Sequence, residues 1–68
     1  MRPRITEGDV VETTKGIFIA MHSFSYSRVD SLDRYHSMTG IRSNYTVPIE
    51  DSEIIRVLTR EEHPEYYL

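Results

Sequence analysis

The sequence predicts an all-β fold: a small, five-stranded, partly open barrel with a short C-terminal arm. Its apolar runs are short and rich in β-branched residues, and turn residues divide them at short intervals. Its 68 residues leave room for one core and no second module. We therefore expect a single domain over residues 1–68, with the barrel at about residues 7–58 and an acidic arm at residues 59–68.

The first hairpin is expected within residues 8–21, where two β-favouring runs are divided by a short polar segment. Gly16 ends that segment and can supply a positive-φ position in the turn. Strand periodicity places two apolar rows on opposite faces of the second run, so we expect this strand to be buried on both sides or bent around a barrel corner. The rows are Ile17, Ile19 and Met21 on one face, and Phe18 and Ala20 on the other.

The middle of the chain is less regular. Residues 22–33 mix serines with isolated aromatic residues and predict a long loop, which carries a binding surface or contains a short irregular strand. A third strand is expected over residues 34–38, with Thr39-Gly40 as its turn. A fourth follows over residues 41–49, where Pro48 marks an edge strand or the end of the strand because proline has no N–H to donate.

The C-terminal third begins with a polar turn at residues 50–53, which can form one tight helical turn, and a fifth strand at residues 54–58. Thr59 and Glu62 match the spacing of a capping box. Pro64 follows too soon for a long helix, so the tail is predicted to be one helical turn or an extended arm.

These features resemble the Src-homology-3-like small β-barrel superfold. The resemblance covers roughly residues 7–58 and comprises a hairpin that opens with Gly-Asp-Val-Val, a long second connection, a Val-Pro-Ile strand, a short polar turn and a final apolar strand. It implies the fold and no functional residue, because this superfold hosts many unrelated functions.

The composition fits a globular chain with a thin core, at 38% hydrophobic and 28% charged residues. No cysteine is present, which excludes disulfides. The three histidines lack the neighbours of a zinc site, so we expect no metal and no other cofactor. The N-terminus lacks a signal peptide and the chain lacks a long apolar window, which predicts a cytoplasmic protein without a membrane segment.

The net charge of −3 is unevenly distributed. Residues 1–49 carry six basic and five acidic side chains, whereas residues 50–68 carry two basic and six acidic ones. This acidity argues against general binding to a nucleic-acid backbone, which depends on neutralising phosphates with Lys and Arg.

Catalysis is not expected. The three glycines lie far apart, outside the spacing of a phosphate-cradling loop. His22, Ser23 and Asp30 supply the residue types of a catalytic triad without a recognisable motif. Asp30 and Asp33 are an equally weak candidate for a catalytic acid/base pair, because a chain with 11 carboxylates always contains two that lie close in sequence.

Interleaved tyrosines and arginines form the first candidate binding surface. Such a composition suits a protein-interface hot spot and also a stacking platform for single-stranded nucleic acid. It also fits ordinary strand residues with half-buried rings, and Asp30 and Asp33 dilute the positive field in the same region. The candidate residues are Tyr26, Arg28, Arg34, Tyr35, Arg42 and Tyr45.

The acidic tail is the second candidate surface. Its two tyrosines and terminal leucine are unlike a purely solvated end, since their burial can contribute several kcal/mol. We expect them to pack on the open end of the barrel, on a second copy of the chain, or on a partner. The candidate residues here are Glu61, Glu62, Tyr66 and Tyr67.

The sequence therefore predicts a protein-binding module without enzymatic activity. A small acidic chain of this kind is typical of the proteins with which phages and other mobile elements bind and inhibit or redirect a host enzyme. One alternative is a small nucleic-acid-binding barrel that uses Arg28, Arg34, Arg42 and Lys15. Another is a structural subunit whose homodimer completes a thin core.

Overall fold

The computed structural model describes residues 4–26, 35–41 and 45–67. The described chain is all-β, as predicted, and its only helical segments are two single 3-10 turns. None of these segments has the length and apolar character needed to cross a membrane. The strands are β1 (Arg4–Ile5), β2 (Val10–Thr13), β3 (Gly16–Ala20), β4 (Phe24–Ser25), β5 (Tyr35–Gly40), β6 (Thr46–Glu50) and β7 (Ile54–Leu58), and the 3-10 turns are η1 (Asp51–Glu53) and η2 (Pro64–Tyr66).

Five strands form one antiparallel sheet in the order β6-β5-β3-β2-β7, and β1 and β4 form a separate two-stranded sheet. The number of strands in the main sheet matches the prediction, but the predicted barrel does not. β6 and β7 lie at opposite ends of the five-stranded sheet, and no ladder among the described residues joins them. The sheet is therefore open.

At two positions on its outer edge, β6 has no free N–H group with which another strand could pair. The sheet therefore stays open there. Met21 N–H donates to Ser37 C=O at 3.3 Å, so the backbone of Ser37 points toward β3. Pro48 lies opposite Ser37, and by the alternation of the ladder it faces the free edge, where it has no N–H to donate. Glu50 also faces this edge, and its N–H donates to Glu53 Oε1 at 3.2 Å. The edge position predicted for Pro48 is confirmed.

The predicted hairpin is formed by β2 and β3. Thr13 pairs with Gly16, which leaves Thr14 and Lys15 as a two-residue loop. Gly16 has φ +128°, a conformation that a β-branched residue rarely adopts. Thr13 Oγ1 donates to Gly16 C=O at 2.9 Å and accepts from Lys15 N–H at 3.1 Å, which closes the turn.

Only one face of β3 belongs to the core. Phe18 and Ala20 are buried, whereas Ile17 and Ile19 are partly exposed and Met21 is exposed. Of the two alternatives predicted for this strand, burial on both sides is not found, because its second row is partly or fully exposed. The core cluster comprises Ile5, Val11, Phe18, Ala20, Phe24, Met38, Ile49 and Ile54.

The N-terminus and the predicted loop contribute to this core. Ile5, outside the predicted barrel boundaries, is fully buried and pairs with Phe24 in the β1–β4 ladder. Within residues 22–33, Phe24–Ser25 thus form a short strand. Residues 27–34, which include the remainder of the predicted loop, lie outside the described residues.

The predicted turn at Thr39-Gly40 is wrong, because both residues continue β5 and pair with β3. Gly40 is required there for packing. A Cβ at this position would lie 2.6 Å from the ring of Tyr45, which meets Phe18 edge-on at 6.0 Å. The predicted strand at 41–49 is correspondingly shorter, since β6 spans Thr46–Glu50.

The polar turn and the last strand are confirmed as η1 and β7. In η1 the Glu50 carboxylate accepts from Glu53 N–H and the Glu53 carboxylate accepts from Glu50 N–H, which is a reciprocal capping box. Within β7 the register with β2 shifts, because Thr13 pairs with Ile54 and Glu12 pairs with Arg56. Ile55 is the extra residue of this bulge and is 54% exposed.

A buried polar pair connects β5 to η1. His36 and Asp51 are both buried, and His36 Nε2 pairs with Asp51 Oδ1. The ring of Phe24 stacks on the imidazole, with centroids 3.6 Å apart and planes 8° from parallel. The pair thereby fixes the connection between β6 and β7 against the centre of the sheet.

We expect Asp51→Ala to lower the free energy of unfolding by about 3–5 kcal/mol, because removing one partner leaves a buried polar group unpaired. Ser52→Ala is the matched control, since Ser52 belongs to the same 3-10 turn and is exposed. It should change the free energy by less than about 0.5 kcal/mol. Urea titration followed by circular dichroism measures both, and equal values would contradict the role assigned to the pair.

We expect Gly40→Ala to destabilise the fold by about 1–3 kcal/mol, because the added methyl group overlaps the Tyr45 ring. In a Tyr45→Ala background the same substitution should cost less. A double-mutant cycle by urea unfolding should then give a coupling of about 0.5–3 kcal/mol between the two positions. Additive effects would show that the ring does not restrict position 40.

Candidate functional site

The C-terminal arm, residues 59–67 of the described chain, is docked on the protein itself. Val10 N–H donates to Tyr67 Oη at 3.0 Å, and the Tyr67 hydroxyl donates to Leu58 C=O at 2.7 Å. Val10 and Leu58 are paired in the β2–β7 register. The hydroxyl therefore bridges two strands at a point where an antiparallel ladder has a direct hydrogen bond.

The arm reaches this position through a tight turn. Thr59 Oγ1 accepts from Glu62 N–H at 3.3 Å and donates to Glu62 Oε1 at 3.1 Å, so the predicted pairing of these residues is present. His63 N–H donates to Thr59 C=O at 2.8 Å. The guanidinium of Arg60 lies 5.1 Å from the centre of the Tyr67 ring, within the range of a cation–π contact.

Tyr67 anchors the arm beside two side chains of the outer face of the sheet, the side away from the core cluster. Val11 belongs to the core cluster, so its neighbour Val10 points to the outer face. Val10 and its partner Leu58 are nevertheless only 1% and 3% exposed. Sequence reasoning missed this second buried site, although two adjacent valines in a strand are a signal that both faces are covered.

Another part of the outer face, around Ser37, carries exposed apolar side chains, and we call this part the open face. The β5–β6 register places Pro48 opposite Ser37, and Met21 lies opposite Ser37 on the other side through their backbone hydrogen bond. Tyr35 is two residues along β5, on the same face, and Ile19 is two residues from Met21. Tyr35 is 63% exposed and Met21 is 48% exposed. The open face comprises Ile19, Met21, Tyr35, Ser37 and Pro48.

The sequence-predicted tyrosines do not form one surface. Tyr35 lies on the open face at the start of β5, whereas Tyr45 covers Gly40 on the core side at the other end of β5. Tyr26 is half-buried and packs against the core. The arginines of that prediction, Arg28, Arg34 and Arg42, lie outside the described residues.

The predicted residues of the arm have divided roles. Tyr67 is a structural anchor, and Tyr66 is half-buried in η2. Glu61 and Glu62 are exposed, and Glu62 is engaged by Thr59. The arm thus presents acidic groups to solvent while its aromatic end packs on the sheet.

The basic residues of the described chain all have contacts within the protein. Lys15 pairs with Glu53 at 3.5 Å and Arg56 pairs with Glu12 at 2.9 Å. Arg4 donates to Ser25 Oγ at 3.4 Å, and Arg60 lies over Tyr67. None of these cations belongs to the open face.

Two histidines lie near each other beneath β4. The rings of His22 and His36 are 5.7 Å apart, with Phe24 in contact with both. His22 is exposed, but His36 is buried under Phe24, so its pair with Asp51 faces the interior. Ser23, grouped with His22 by sequence, accepts from Glu7 N–H at 3.0 Å.

We expect Tyr67→Phe to destabilise the fold by about 1–3 kcal/mol, because it leaves Val10 N–H and Leu58 C=O without their bridge. Tyr66→Phe removes the neighbouring hydroxyl, which bonds to no described residue, and should cost less than about 0.5 kcal/mol. Urea unfolding of both variants measures the difference. Equal costs would show that the bridge contributes nothing specific.

The distinctive geometry is thus an exposed apolar sheet face next to a docked acidic arm, with a buried His–Asp pair beneath the opposite face. No family model, curated protein or solved structure matches the chain.

Proposed function

We propose that the protein is a binding module without enzymatic activity, and that it docks a partner protein on the open face. The observation that carries this proposal is the exposed group of Met21, Tyr35 and Pro48 around Ser37, whose own side chains are uncharged, with Glu50 at its border opposite Tyr35. Interface centres are depleted in charged residues and enriched in Tyr and Met. An exposed apolar sheet face of this kind is the usual mark of an interaction site.

The partner packs on the face of the sheet and does not add a strand to its edge. At β6, Pro48 has no N–H and the N–H of Glu50 is taken by Glu53. At the other end of the sheet, β7 carries the bulge at Ile55, which twists an edge away from regular pairing. Affinity then depends on side chains and not on main-chain hydrogen bonds.

The partner surface is apolar at its centre and basic at its rim. The chain carries a net charge of −3, and the arm beside the open face exposes Glu61 and Glu62. A second copy carries the same negative charge and is repelled, and a phosphate backbone requires cations, none of which lies on the open face among residues 4–26, 35–41 and 45–67. A basic rim complements this distribution of charge.

The order of the elements supports one further part of the proposal, and the composition supports another. The hairpin, the long connection after β3, the Val-Pro-Ile strand and the η1 turn before β7 all support the resemblance to the Src-homology-3-like superfold. The small size and acidity suit a protein with which a phage or mobile element binds and modulates a host enzyme.

We expect Met21→Lys to weaken partner binding at least about tenfold, because it places a charge in the uncharged centre of the interface. Ile55→Lys is the matched control, since Ile55 is 54% exposed, similar to Met21 at 48%, and lies outside the open face. Affinity capture from nuclease-treated cell lysate, with each variant as bait, measures the effect.

A captured protein that Met21→Lys loses, that Ile55→Lys retains and that high salt weakens supports the proposal. Capture that is equal for both variants would contradict it. Two other results would also contradict it: binding that nuclease abolishes, which indicates a nucleic acid, and a stable dimer in sedimentation that Met21→Lys converts to a monomer, which indicates a second copy.

A further inference from the structure

The docked arm and the open face share a border. Val10 pairs with Leu58 on one side and with Ile19 on the other, and all three side chains point to the outer face. Ile19 belongs to the open face, whereas Val10 and Leu58 are buried where Tyr67 docks. The arm therefore ends where the open face begins.

We propose that the arm is a latch that limits the size of the docking surface. In the latched state the open face spans β3, β5 and β6. Release of Tyr67 uncovers Val10 and Leu58, and the apolar surface then extends across β2 and β7 as well. This inference rests on the proposed function, because it assigns regulation to the same face.

The contacts that hold the arm on the sheet can break while the rest of the domain stays folded. One hydroxyl makes both hydrogen bonds to the sheet, and the neighbouring residues 60–62 and 64–65 are exposed. Segments with few buried contacts open with smaller free energies than core strands do. The turn at Thr59 contacts residues of the arm itself, so it can remain intact when Tyr67 leaves.

Release of the arm costs free energy, so the latch stays open only for a partner that offsets this free energy. Release exposes two apolar side chains that are almost fully buried in the latched state. A partner that covers Val10 and Leu58 removes this cost, so it shifts the population toward the released state. The partner of the proposed function covers both parts of the surface, so its affinity depends on the state of the latch.

The first test is native-state hydrogen exchange on the full chain, followed by NMR. Val10 N–H is bonded to Tyr67, whereas Val11 lies in the same strand and pairs with Phe18 in the β2–β3 ladder. We expect the Val10 amide to exchange at least about tenfold faster than the Val11 amide, with little dependence on denaturant. Equal rates with equal denaturant dependence would show that the arm leaves only when the whole domain unfolds, which would overturn the latch.

The second test concerns the docking surface. Tyr67→Phe should increase the capture of the protein that Met21→Lys loses, by about threefold or more, and Tyr66→Phe should leave it unchanged. Equal capture by the wild type and Tyr67→Phe would overturn the latch and leave the proposed function standing. If no captured protein depends on Met21, the proposed function fails, whatever the exchange rates show.

Discussion

The pair between His36 and Asp51 is the interaction on which the rest of the structure depends. Both side chains are buried, and a buried imidazole or carboxylate without a partner is costly. The pair therefore fixes η1 against β5, which sets where β6 ends and where β7 begins. Phe24 covers the imidazole and brings β4 with it, and β4 in turn pairs with β1. One polar contact thus coordinates segments from both ends of the chain.

The outer face of the sheet divides into two parts that are stabilised differently. Around Val10 it is buried and the arm is anchored beside it, with the Tyr67 hydroxyl in place of a hydrogen bond between strands. Around Ser37 it is uncovered and apolar. A small chain has little apolar surface to spare for its core, so an uncovered apolar face indicates a use outside the isolated fold. Docking of the proposed partner covers this face.

Local patterns in the sequence predicted the local structure well. The hairpin with Gly16, the turn at residues 50–53 and the strand at 54–58 follow from turn residues and β-branched runs within a few positions. The turn predicted at Gly40 is wrong, because the glycine is needed for the close approach of the Tyr45 ring, which the sequence around Gly40 does not indicate. His36 and Asp51 are 15 positions apart, and Val10 and Tyr67 are 57 positions apart. A local sequence pattern cannot predict contacts between residues so distant in the chain. The sequence predicts only part of the open face. It places Tyr35 in a candidate surface, but it groups Tyr35 with arginines and not with Met21 and Pro48.

The blocked edge of β6 also bears on how this protein behaves when it is concentrated. A regular, unpaired edge recruits identical chains into growing sheets, which is the first step toward fibrils. Pro48 and the Glu50–Glu53 capping box interrupt that process at one end of the sheet. At that edge the chain therefore exposes its apolar face without offering a template for fibril growth, and under the proposed function side chains and not main-chain pairing select the partner.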